Sequence, residues 1–178
     1  MDRAVRGQTV LSKGKMMAIY RKKAKLHPVI HKNLFINCIG IISCCFMSAD
    51  DGVKLLMQRS ERFLENVKHN FEIGFLDIAA FSLEQSIELF LKSKVLEKAG
   101  DFPHTQNIRT LMQTLSEQSS QRCSEIVKSY LDKHGIILGA IQDAYITSRY
   151  FAINIEKNDL DKMIQVVQEI IHDLRHVC

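Results

Sequence analysis

From residue 48 onward, apolar residues return at three- and four-residue steps. Val53, Leu56, Met57, Phe63, Leu64 and Val67 fall on one stripe of a helix. Ser48 is placed to cap that helix, and Asp50 and Asp51 then sit in its first turn, where the helix dipole favours negative charge. Asn70 and Gly74 loosen the chain. Residues 75–99 form a longer, strongly apolar helix that ends at Lys98-Ala99-Gly100, a basic last turn followed by glycine. Asp101-Phe102-Pro103-His104-Thr105 reads as a turn. Asn107 caps a helix carrying Ile108, Leu111, Met112 and Leu115, and Ser119-Ser120 interrupts it. Cys123, Ile126, Val127, Tyr130 and Leu131 give another helix, with a stop near His134-Gly135. Ile137, Ala140, Ile141, Ala144, Tyr145 and Ser148 give the next. Asn158 or Asp159 caps a last one, with Leu160, Met163, Ile164, Val167, Ile171 and Leu174 at helical spacing. No stretch alternates with period two. The pattern predicts an all-α, antiparallel bundle of four to five main helices.

The helix over 75–99 is apolar on more than one side. With Gln85 as origin and about 100° per residue, Leu76, Ala79, Ala80, Leu83, Ile87, Phe90 and Leu91 spread over the opposite side. Ile78, Phe81, Leu89 and Leu96 nevertheless fall within about 40° of Gln85. Such a helix is either central to its own domain or covered by a second subunit. Gln85, Glu88 and Lys92 share that second apolar face, where polar groups need partners. Two arrangements satisfy them. Glu88 and Lys92, an i,i+4 pair in the favourable order, neutralise each other on the surface, or the three residues line a ligand cleft.

Composition changes the picture at one end only. The 178 residues are 46% hydrophobic and 25% charged, a globular mix sized for one domain, and there is no tryptophan. Residues 1–46 carry nine Lys/Arg against the single acid Asp2, a net +8. The whole chain has 24 basic and 20 acidic residues, which leaves 15 and 19 for the remainder, a net −4. A domain of that charge is a poor general binder of polyanions. Leu34 to Met47 is nearly all apolar but short of the ~20 residues that cross a bilayer as a helix. Met47-Ser48-Ala49-Asp50-Asp51 looks like a natural protein start. Residues 1–46 are therefore read as a basic extension outside the domain, and 47–178 as the domain. Cys38, Cys44, Cys45, Cys123 and Cys178 form no C-x-x-C pair and are odd in number, which reads as free thiols in a reducing, cytoplasmic setting.

Little in the sequence speaks of chemistry. There is no phosphate loop, no His-Glu-x-x-His and no Gly-x-Ser-x-Gly. His172 and His176 lie one turn apart without an evident third ligand, so no metal and no cofactor are expected. Tyr145, Arg149 and Tyr150 are the best ligand candidates beside Gln85, Glu88 and Lys92. Tyr145 and Arg149, four apart, share a helix face. Arg149 offers a planar fork for phosphate, and the tyrosines offer stacking surfaces. Alternatively, Arg149 pairs with an acid such as Glu88 and holds the bundle together.

Two stretches resemble a known family. One is Ala80-Phe81-Ser82-Leu83-Glu84-Gln85-Ser86-Ile87-Glu88-Leu89-Phe90-Leu91-Lys92, followed by Gly100, Pro103 and Asn107-Ile108-Arg109-Thr110-Leu111. The other is Ala144-Tyr145-Ile146-Thr147-Ser148-Arg149-Tyr150. In order and spacing they resemble the HEPN domain (higher eukaryotes and prokaryotes nucleotide-binding), over about residues 50–178. The resemblance implies an all-α bundle of four to five helices, usually a homodimer. Such domains often sit beside a minimal nucleotidyltransferase as two halves of a toxin–antitoxin pair. Many are metal-independent ribonucleases using Arg-x(4–6)-His in a late helix; others bind nucleotides or proteins. Here the positions after Arg149 that should hold histidine are Asn154, Ile155 and Glu156, and the spacing recurs only as Arg21 to His27 and Arg62 to His69, outside the late helix. The resemblance therefore implies a non-catalytic nucleotide- or protein-binding module. The alternatives are a ribonuclease with a degenerate motif and a structural dimer without ligand.

Overall fold

The computed structural model describes residues 48–150 and 155–178; the basic segment, with Cys38, Cys44, Cys45 and the Leu34–Met47 apolar run, lies outside them. The described residues form helices only: α1 (Ala49–Glu72), α2 (Leu76–Ala99), α3 (Ile108–Gln118), α4 (Gln121–Tyr150) and α5 (Lys157–Val177). The expected all-α bundle is what the chain forms.

The starts and stops have identifiable causes. The Ser48 hydroxyl accepts the Asp51 N–H at 3.1 Å, and the Ser48 N–H donates back to the Asp51 carboxylate, a reciprocal cap. α1 ends because Gly74 takes a left-handed φ of 84°, which lets the Phe75 N–H reach the Asn70 carbonyl at 2.8 Å. Gly100, at φ 76°, ends α2 similarly. The Asn107 side chain caps α3 by accepting the Thr110 N–H at 3.0 Å. The Ile108 N–H is taken by Gln142 of α4 at 2.7 Å.

One boundary matches expectation and one differs. At His134 the backbone leaves the helical region (φ −116°, ψ 19°), so α4 is two helical segments joined across a kink, at the stop the sequence places near His134-Gly135. Arg109 of α3 donates to the Gly135 carbonyl beside the kink, supplying a donor where the helical ladder is broken. The last helix begins earlier than Asn158 or Asp159. Glu156 is the extended cap residue, and its carbonyl already accepts from Asp159 and Leu160. Asp159 is therefore in the first turn, paired with Lys162 at 3.0 Å.

α2 is the central helix. Antiparallel α1 lies along it so closely that the hydroxyls of Ser60 and Ser86 each donate to the other's carbonyl, at 2.8 and 3.1 Å. Small side chains permit that approach, and the buried hydroxyls are satisfied by it. A Cβ on Gly52 would stand 3.1 Å from Leu96, so α1 also covers part of the second apolar face of α2. Opposite, Ala79, Ala80, Leu83, Ile87, Phe90 and Leu91 are fully buried against α3, α4 and α5. Of that second face, Phe81, Leu89 and Leu96 are half-buried and Ile78 is exposed, so the chain covers it only in part. At the adjoining α1–α2 corner Ile73 and Phe75 are exposed as well.

The expectation of free thiols fails at one pair. Cys123 and Cys178 are disulfide-bonded, with Cα atoms 5.4 Å apart across 55 residues. Antiparallel packing of α4 on α5 brings the start of one beside the end of the other. No described helix is long and apolar enough to cross a membrane.

Candidate functional site

Four polar side chains of α2, Glu84, Gln85, Glu88 and Lys92, are linked to one another by hydrogen bonds. Gln85, half-buried on α2, donates from Nε2 to Glu84 at 2.7 Å and to Glu88 at 3.1 Å. Lys92 Nζ donates to the other oxygen of Glu88 at 2.5 Å. The ion pair forms as the i,i+4 spacing expects, but not on the surface: the Glu88 and Lys92 side chains are only 5% and 15% exposed. The Lys92 ammonium also stands 5.6 Å from the centre of the Phe102 ring, so the turn after α2 closes over the pair.

α4 brings its late segment to the same helix. The ring of Tyr145 faces that of Phe81, one turn before Gln85, with centroids 6.3 Å apart. The Tyr145 hydroxyl accepts a hydrogen bond from Gln106 at 3.1 Å. Gln85, Glu88 and Lys92 are therefore one connected group, and Tyr145 packs on Phe81, one turn before it on the same helix. Arg149 and Tyr150 occupy the last positions of α4; their side chains, like Asn154, lie outside the described residues. Glu156 is the cap residue of α5, and Ile155 precedes it.

Sequence reasoning missed four contributors. Glu84 is fully buried and shares the Gln85 amide. Its signal was present: a carboxylate one turn before Glu88, inside an apolar run. Phe81 was legible only as part of the second apolar face; Phe102 and Gln106 carried no signal, because their roles arise from the fold of the 101–107 turn against α2 and α4.

The remaining candidates do not join this group. Arg62 and His69 are exposed on α1, beside Arg59, Phe63 and Asn66, and the described residues lining that depression all belong to α1. The rings of His172 and His176 touch edge to face at 4.9 Å, and no group of three or more potential metal ligands occurs among the described residues.

A comparison with protein families agrees with the geometry. The sequence model of the family described as HEPN domain matches residues 53–177, which spans all of α2, α3 and α4. No curated protein matches the chain.

Proposed function

This chain belongs to the HEPN domain family, and from that premise we propose that its bundle binds a nucleotide or a protein partner and does not cleave RNA. The supporting observation is the Phe81–Tyr145 contact, which sets the late segment of α4 against α2. The half-buried Tyr145 ring, the half-buried Gln85 amide and the Arg149 guanidinium match the three parts of a nucleotide. Tyr145 stacks on the base, Gln85 bonds a base or ribose edge, and Arg149 takes the phosphate. Glu88 and Lys92 neutralise each other and hold the platform, so the phosphate falls to Arg149.

Metal-free cleavage of RNA needs a group near neutral pKa to take the proton from the attacking hydroxyl. The chain offers Asn154, Ile155 and Glu156 where the family's nucleases carry histidine. A carboxylate at that place repels phosphate. No cofactor is required in this reading. A minimal nucleotidyltransferase is the protein partner it favours, as in a toxin–antitoxin pair, within the cytoplasm. The open apolar corner of Ile73, Phe75 and Ile78 suits a homodimer contact.

Calorimetric titration with nucleoside mono-, di- and triphosphates tests the reading. We expect weak binding that falls about tenfold in Arg149→Ala and in Tyr145→Ala, the loss of about 1.4 kcal/mol. Affinity unchanged by either substitution would remove this cluster from the ligand site.

A further inference from the structure

The disulfide lies at one end of the α4–α5 pair. Cys123 is the third residue of α4, and Cys178 is the cap residue of α5, its N–H on the Leu174 carbonyl at 3.1 Å. Cys123 is fully buried, whereas Cys178 retains 8% exposure. Other contacts fasten the same helices: Tyr130 of α4 donates to Asp173 of α5 at 2.7 Å, and Leu160, Val167, Ile170 and Leu174 are buried in the core. These contacts fasten α5 to the bundle alongside the covalent link.

We propose that Cys123 and Cys178 form a reversible thiol–disulfide switch that fastens the end of α5 to the start of α4, opened and closed by exchange with a low-molecular-weight thiol and its disulfide. The proposal is independent of the ligand reading above. The difference between the two residues sets the direction of exchange. An incoming thiolate attacks Cys178 Sγ, at the less buried residue, once the last turn of α5 frays. A new bond forms from that thiolate to Cys178, the Cys178–Cys123 bond breaks, and its electron pair leaves on Cys123 Sγ. A second external thiolate then attacks the external sulfur of the mixed disulfide. It releases the small-molecule disulfide and the Cys178 thiolate. Two external thiols are oxidised, one protein disulfide is reduced, and closing is the reverse sequence.

The full chain, equilibrated in glutathione buffers from fully reduced to fully oxidised, tests this. Alkylation and peptide mapping by mass spectrometry follow the Cys123–Cys178 peptide separately from Cys38, Cys44 and Cys45. The linked peptide should convert to free thiols within the buffer range. The melting temperature should fall by roughly 5–15 °C as it opens, the bond closing a long loop. Cys178→Ser should melt like the reduced chain and ignore the buffer; should that variant fail to fold, the wild-type titration decides alone. A peptide linked at every ratio, free at every ratio, or a chain that unfolds on reduction would each overturn the switch.

Discussion

Phe81 on α2 and Tyr145 on α4 face each other with ring centroids 6.3 Å apart and planes inclined by 32°. An inclined pair at that distance is an attractive aromatic geometry, worth about 0.5–1.5 kcal/mol beyond the area it buries. It also fixes where the late segment of α4 lies along α2. Phe81→Ala should therefore cost about 1–3 kcal/mol in denaturant unfolding. Tyr145→Phe, which keeps the ring and loses the Gln106 bond, should cost about 1 kcal/mol or less. Equal losses from the two would mean that the hydroxyl, not the ring contact, holds the segments together.

The Glu88–Lys92 pair is buried, so its two halves are not dispensable separately. Lys92→Met leaves a carboxylate buried beside Glu84 and should destabilise by about 2–4 kcal/mol. Adding Glu88→Leu should recover most of that loss, since an apolar pair of similar volume removes both desolvation penalties. A double variant no better than Lys92→Met alone would show that Glu88 has a further essential partner.

Tyr130 predicts an alkaline signature. Burial, the hydrogen bond to Asp173 and the nearby charges of Asp173 and Glu169 raise its phenol well above the ordinary value of 10.0. The folded state thus keeps the proton where the unfolded chain loses it. The stabilisation is full below pH 10 and fades as pH rises from there toward the folded value. Urea unfolding between pH 9 and pH 11 should show the wild type losing stability more steeply than Tyr130→Phe, the pH range being about one unit either side of the unfolded pKa. Parallel slopes would mean that the phenol ionises alike in both states.

A chain starting at Met47 should fold and melt like the full chain, because the first cap, Ser48 with Asp51, is built entirely from residues after it. Loss of soluble protein on removing residues 1–46 would make that segment part of the fold.

The fold was legible because its signals are local. Stripe periodicity, the Ser48 and Asn107 caps and Gly100 each act within a few residues, and each appears where the sequence places it. His134-Gly135 reads as a stop and the backbone does kink there, but what supports the kink is Arg109, from another helix. No local rule contains that contact. The Cys123–Cys178 bond was illegible for a similar reason: it follows from the antiparallel pairing of α4 and α5 across 55 residues. The site was half legible. Gln85, Glu88 and Lys92 stand out as polar groups on an apolar helix, and the i,i+4 rule finds their pairing. Their burial depends on Phe102 in the turn beyond α2, which no periodicity places there.

The central claim is binding without cleavage, and incubating the full chain with single-stranded RNA tests it most directly. Wild-type protein and Arg149→Ala should both leave the RNA intact over hours. A general base contributes about 10²–10⁴-fold, and the late helix supplies no histidine to act as one. Metal-independent cleavage by the wild type, abolished by Arg149→Ala, would contradict the account and make the protein a ribonuclease.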